Sequence, residues 1–256
     1  MNMQREFFTK GLCANGMVLQ RNAINCIFGC TRANSEVILY FRQKEYSVLS
    51  DVEGNWKIEF NPGLAGGPFE LSIKSIKQTL TFSNIYVGEV WLNSGQSNSQ
   101  LNMDRMRFSY SDEYENLEDK NIRVITIPIS YSFDGPVDFI ENPLWLDVKK
   151  ENLSEISGTS FFFAKKLWED LNVPIGIINA SQGGSPICSW MSYDSLDNLN
   201  YKDLTDRVKQ WKNKSILEKK ISSEKAKENL WNREIFENDP GLYNGWNNIP
   251  YSELSS

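Results

Sequence analysis

The 256 residues contain no histidine. That absence removes the commonest general base and the commonest metal ligand from the side chains available for chemistry. Cysteine is scarce too. Cys13, Cys26, Cys30 and Cys188 lack the paired spacing that staples small secreted domains, and a chain this long does not need staples, so reduced and mostly buried thiols are expected. Cys26 and Cys30 have no second pair beside them, so neither a metal nor a cofactor is expected. Positive charge is outweighed: 27 Lys and Arg stand against 33 Asp and Glu, for a net charge of -6. With no dense basic run to override it, that balance argues against a nucleic-acid or anionic-membrane partner and favours a small neutral or sugar-like one. No window is apolar enough to span a bilayer, and residues 1–10 lack the apolar core of a signal peptide, which sets the expectation of a cytoplasmic protein. What is present is 40% hydrophobic residues, enough to bury a core.

The chain is organised around residues 87–98. Val87, Val90, Trp91 and Leu92 read as a buried strand of a parallel sheet, Gly95 permits a sharp turn, and Ser97 then falls just past the strand's carboxyl end. In open α/β sheets that is where ligands bind. The same five residues, 94–98, are also ordinary turn chemistry. Before this stretch the segments are short and β-rich, at 24–28, 36–41, 45–49, 56–60, 69–73 and 79–82, with glycine and proline turns between them. That spacing predicts a small antiparallel β-sandwich, immunoglobulin-like, over residues 1–85. Trp56, Phe60 and Phe69 alternate as its core residues; the alternative is a sugar-stacking platform.

Residues 86–256 follow without a flexible linker. A helix is readable over 100–106, a strand over 121–128, a capped helix over 157–171 with Phe163, Leu167 and Leu171 on one face, and a strand over 173–180. The order strand, helix, strand predicts parallel crossovers. The last strand ends in a second glycine turn, Gly183 and Gly184. Aromatic residues Tyr131, Phe133, Phe139 and Trp145 occupy a loop that either lines a cleft or covers the core. Residues 204–236 read as a charged helical excursion, and 239–250 as loop.

Four blocks in order resemble the sialate O-acetylesterase family of the SGNH/GDSL hydrolases: residues 15–21, residues 54–56, Gly95-Gln96-Ser97-Asn98, and residues 173–181 running into Gly183 and Gly184. The resemblance implies a flavodoxin-like SGNH parallel sheet and hydrolysis of O-acetyl groups on sialic acid or a related acetylated sugar by a serine nucleophile. Ser97 is implied as nucleophile. The backbone of Ser97 and of Gly184 or Gly183 is implied as the oxyanion hole, with Gln96 and Asn98 as substrate-binding residues. The family's Gln-Gly-Glu block and its Asp-x-x-His base are absent, the position after Asn98 is Ser99 where methionine is common, and three of five expected strands are readable. The chain therefore reads as the amino-terminal part of such an enzyme, an α/β protein with an incomplete sheet that is inert alone and completed by a carboxy-terminal complementing chain. The alternative is a non-catalytic glycan-binding or accessory protein.

Overall fold

The computed structural model describes residues 7–115, 121–130, 135–137 and 139–238. Two compact units are distinguished, residues 1–131 with 136–186, and residues 132–135 with 187–256.

The first unit opens with β1 (Phe8–Thr9), β2 (Val18–Gln20), β3 (Asn25–Cys30), β4 (Glu36–Phe41), β5 (Lys44–Leu49), β6 (Asn55–Phe60), β7 (Gly66–Ser75) and β8 (Gln78–Gly95). Strands β1, β3 and β6 form a three-stranded sheet, while β8, β7, β4 and β5 pair in that order, all antiparallel. Both sheets contribute to one core. Period-2 alternation turns Val37, Leu39 and Phe41 inward from β4 and Trp56, Ile58 and Phe60 from β6, where they meet Leu71 and Ile73 of β7. Phe41 and Phe60 pack edge to face at 5.9 Å. Trp56 and Phe60 are buried core residues, as their alternation suggested, and Phe69 packs against them. Burying each such side chain is worth roughly 1.5–3 kcal/mol.

Strand β8 is longer than the sequence suggested. The segments read separately at 79–82 and 87–92 are one 18-residue strand that crosses residue 85 unbroken. Its first half pairs with β7 and, at 86–88, with β2 running parallel; its second half pairs in parallel with β11 (Ile175–Ser181), Ile175 opposite Glu89 and Ser181 opposite Gly95. Beyond β8 the chain forms α1 (Ser97–Gln100), α2 (Met103–Met106), α3 (Ser111–Glu115), β9 (Ile122–Thr126), β10 (Trp145–Asp147) and α4 (Gly158–Leu171) before β11. Strand β9 pairs parallel to β11, and β10 closes the other edge antiparallel, so one eight-stranded mixed sheet runs through the unit. Strands β8, β9 and β11 are the three read from the sequence as parallel; β2 adds a further parallel pairing, and the sheet is mixed rather than purely parallel. Gly88 lets β8 and β11 approach: a Cβ there would lie 1.8 Å from Pro174 O.

Three expectations are corrected. The helix read over 100–106 is two single turns, α1 and α2, interrupted where Leu101 and Asn102 adopt extended ψ values of 117 and 155. In α4, Phe163 and Leu171 are each 41% exposed; the buried face is Gly158, Phe161 and Ala164. Of the three expected residues Leu167 does pack on the core; the spacing misled for the other two because Phe161, with the small residues Gly158 and Ala164, seats α4 against Met103, Ile122, Ile175 and Ile177. Ser157 does cap the helix, accepting from Ser160 N at 3.3 Å, and Asn172 ends it in the left-handed region. Finally, Trp91 and Leu92 are 45% and 65% exposed rather than buried.

The second unit holds a short 3₁₀ turn, Ile187–Trp190, followed by α5 (Tyr193–Asn198), α6 (Lys202–Lys212) and α7 (Lys214–Asn238). The charged helical reading of 204–236 holds. Lys220 and Lys227 flank Glu224 at 2.8 and 3.0 Å and hold its carboxyl below the usual range. No helix among the described residues is long and apolar enough to cross a membrane. Residues 239–250, read as loop, lie outside the described residues.

Candidate active site

The amino-terminal block anchors the strand that carries the serine. Arg21 Nε donates to Glu89 Oε1 at 2.7 Å, Gln20 Nε2 to Glu89 Oε2 at 3.2 Å, and Gln20 Oε1 accepts from Val90 N at 2.7 Å. Five residues beyond Val90, Gly95 turns the chain at φ +151. A Cβ there would meet Ser99 Oγ at 2.6 Å, so this position needs glycine for both space and conformation. Ser97 then starts α1, exposed, with its hydroxyl donating to Gln96 Oε1 at 3.2 Å. No carboxylate or amine of the described residues hydrogen-bonds that hydroxyl. An amide oxygen can orient a serine but is far too weak a base to deprotonate it.

Strand β11 delivers the second turn to the same rim, because parallel strands end together. Gln182 N donates to Gly95 O at 2.9 Å, and a Cβ on Gly183 would stand 3.6 Å from Ser97 Oγ and 2.6 Å from Gln100 Oε1. The Gly183 amide is already engaged, donating to Gln100 Oε1 at 2.7 Å. Gly184, at φ +76, has open space around it and no partner for its amide among the described residues. Of the two glycines read as oxyanion donors, Gly184 is the one left free. Gln96 and Asn98 are both exposed beside Ser97; the Asn98 carbonyl accepts from Thr159 Oγ1 at 3.0 Å, tying α1 to α4.

Sequence reasoning missed the polar cluster underneath. Asn93 and Asn179 are direct partners in the β8–β11 register. The Asn93 amide nitrogen lies 2.9 Å from Asn179 Oδ1, 3.1 Å from Ser99 O and 3.3 Å from Ser157 Oγ, and Ser181 Oγ also donates to Asn179 Oδ1 at 2.9 Å. Ser157 thus caps α4 and helps hold the serine turn at once. The signal was available: asparagine is depleted in strand interiors, yet each of these two apolar runs carries one just before its turn. Gln182 Oε1 is buried with no partner among the described residues, an acceptor left unmet beside the site.

The loop aromatics divide. Tyr131 and Phe133 lie outside the described residues. Trp145 is buried in the core with its Nε1 donating to Leu12 O, whereas Phe139 is half exposed and packs edge-on against Phe8 at the surface, 6.1 Å between ring centres. Among the described residues no group of His, Cys, Asp or Glu could hold a metal ion.

An α/β protein with a serine and a glycine turn at adjoining parallel strand ends fits the class of carbohydrate esterases. The family model described as "Carbohydrate esterase, sialic acid-specific acetylesterase" matches residues 87–223. The chain belongs to that family. It is 29% identical to the sialate O-acetylesterase of Homo sapiens, a match covering 71% of this chain and 38% of the relative, and 25% identical to that of Rattus norvegicus. Among solved structures it is similar to a carbohydrate acetylesterase from Xanthomonas citri, with a TM-score of 0.70 and 30% identity over 74% of this chain and 43% of that one. The chain thus spans about two fifths of the length of these relatives.

Proposed function

We propose that the chain is the amino-terminal part of a sialate O-acetylesterase, with an immunoglobulin-like β-sandwich to about residue 85 and part of an SGNH sheet after it. Ser97 attacks the acetyl carbonyl. The amides of Ser97 and Gly184 hold the oxyanion, and Gln96 and Asn98 contact the sugar. The Gly183 amide, engaged by Gln100, fixes the turn. The general base comes from a complementing polypeptide, since the chain has no histidine and nothing basic among the described residues reaches Ser97. O-acetylated sialic acid is the substrate the family description favours.

The observation that carries this reading is the approach of the Gly183 turn to Ser97, 3.6 Å from Oγ to where a Cβ would stand. That distance is ordinary contact and brings the two turns together on one rim, while the need for glycine at 183 comes from Gln100 Oε1, 2.6 Å from where a Cβ would stand. A serine hydrolase deprived of its histidine base loses on the order of 10⁶ in turnover, so the isolated chain is nearly inert. The absence of histidine favours one competitor, a glycan-binding protein that uses the same rim without turnover.

The test is hydrolysis of a chromogenic acetyl ester by the chain, by the chain mixed with the carboxy-terminal part of a matched relative, and by the same mixture carrying Ser97→Ala. Negligible turnover alone and Ser97-dependent turnover in the mixture is the expected result. Activity that survives Ser97→Ala in the mixture removes Ser97 as nucleophile. Sugar binding with no turnover in any mixture selects the binding protein.

A further inference from the structure

We propose that a cleft where the chain passes from β5 to β6, bordered by Trp56, Phe28, Leu49 and Lys57, binds a carboxylated monosaccharide. The esterase reading above supplies only the identity of that sugar acid, a sialic acid; the cleft itself rests on its lining residues.

Strands β5 and β6 belong to different sheets and are joined by one tight turn, in which Asp51 N donates to Asn55 O at 2.8 Å. The sheets part beside it. A cavity of about 560 Å³ opens there, with Val48 and Leu49 on the β5 side, Trp56 and Lys57 on the β6 side, and Phe28, the pairing partner of Lys57, continuing the wall along β3. That volume is in the range of small-molecule sites. Gly29, opposite Trp56 in the register, keeps the floor low, since a Cβ there would stand 2.7 Å from Trp56 Cζ2.

The hydrogen-bonding capacity this lining has to offer is on the donor side. Trp56 is 3% exposed and its Nε1 has no partner among the described residues, whereas a buried indole N–H ordinarily finds an acceptor. Its Cζ2, bonded to the carbon that carries Nε1, lies over Gly29, another lining residue, so that edge of the ring borders the cleft. Lys57 gives an N–H to Glu59 at 2.5 Å and has further ones to give; Lys10 brings a second ammonium to the lining. The acceptors are spent. Asp51 Oδ1 takes the amides of Glu53 and Asn55, its Oδ2 takes Asn55 Nδ2, and Asn55 Oδ1 takes the Cys30 thiol at 3.3 Å.

A ligand for such a lining brings acceptors, and a carboxylate is the acceptor that ammonium groups bind most strongly. It also brings an apolar side, because Phe28, Val48 and Leu49 carry no polar side-chain atom and Leu49 is 69% exposed. A sugar acid has both, its carboxylate and hydroxyls on the polar side and the C–H groups of its ring on the other. An inorganic anion lacks the apolar side, and a neutral sugar lacks the charge. The buried indole presents no face on which a sugar ring could stack, so Trp56 acts through its N–H alone.

The full chain is titrated with N-acetylneuraminic acid, with its methyl ester and with benzoate, and followed by the indole N–H resonances and by the rate of alkylation of Cys26. Cys26 lines the cleft and is exposed, whereas Cys13 and Cys30 are buried and Cys188 lies outside the lining. The acid shifts the Trp56 indole resonance and slows alkylation of Cys26 but not of Cys188. The methyl ester keeps the sugar without the charge, benzoate keeps the charge without the sugar, and each binds at least about tenfold more weakly. Lys57→Gln, a change at an exposed side chain that leaves the core intact, weakens binding of the acid about fivefold and leaves that of the ester unchanged. No response of Trp56 at about 10 mM acid, ester or benzoate binding as tightly as the acid, or an undiminished affinity in Lys57→Gln overturns the proposal. Binding is read without turnover, so a complemented chain that hydrolyses no acetyl ester removes the esterase reading and leaves the cleft standing. Shifts confined to residues 95–98 and 183–184 do the reverse.

Discussion

The Asn93–Asn179 pair couples the sheet to the serine turn, and its strength can be worked out from the structure. Asn179 is 4% exposed, and its Oδ1 accepts from both Asn93 and Ser181. Asn179→Ala takes the acceptor from Ser181 Oγ and leaves the Asn93 side chain only the longer contacts to Ser99 O and Ser157 Oγ, where water has little access, which costs about 2 kcal/mol. Asn93 is half-buried, so water replaces part of what Asn93→Ala removes, and about 1 kcal/mol is expected. The two changes share one hydrogen bond. The double variant therefore loses less than the sum, by about 1 kcal/mol of coupling. At roughly 2–4 °C per kcal/mol for a unit of this size, Asn179→Ala lowers the midpoint by about 4–8 °C. Urea unfolding followed by tryptophan fluorescence measures all three variants. Additivity to within about 0.3 kcal/mol shows that the asparagines act independently and refutes the coupling.

Three further outcomes follow from particular residues. Gly88→Ala forces β8 and β11 apart, since the new Cβ would overlap the Pro174 carbonyl at 1.8 Å; a loss on the order of 3 kcal/mol in the same urea assay is expected, and a loss under about 1 kcal/mol contradicts the close approach. Burial pushes the Cys13 thiol up to about 12. Its folded value thus lies above its unfolded one, so the stabilising contribution is complete below about pH 8.5 and is lost as pH rises toward 12, and a Cys13→Ala variant shows a flatter decline there. Asp51 is held below the usual carboxylate range by the Asn55 side chain and by backbone amides. It stabilises the native turn above the ordinary aspartate range and less as pH falls through it, so Asp51→Ala reduces the acid sensitivity of unfolding; an unchanged acid limb contradicts the assignment.

Much of this was legible in the sequence because the relevant forces are local. Period-2 alternation placed β4 with both ends correct and β6 within one residue, and Gly95 and Gly184 marked turns at which φ is positive. The site's two halves were readable from glycines at strand ends. What was not legible depends on which faces find partners. Trp91 and Leu92 look buried by composition, yet both are exposed, because apolar side chains are covered only where the fold brings another element against them. The α4 face failed for the opposite reason: Gly158 and Ala164 are buried because their neighbours approach closely, and small residues carry no hydrophobic signal of their own. The hold of Gln100 on the Gly183 amide spans 83 positions, and no local pattern announces it.

The unbroken run of β8 across residue 85 also restricts how such a protein can be rearranged by recombination. A crossover within residues 78–95 joins two half-strands of separate ancestry, and both the antiparallel pairing to β7 and the parallel pairing to β11 must survive in one continuous register. A one-residue insertion there flips every later side chain to the other face and carries Asn93 and Ser97 out of place. A crossover that keeps the register of both pairings therefore falls outside residues 78–95.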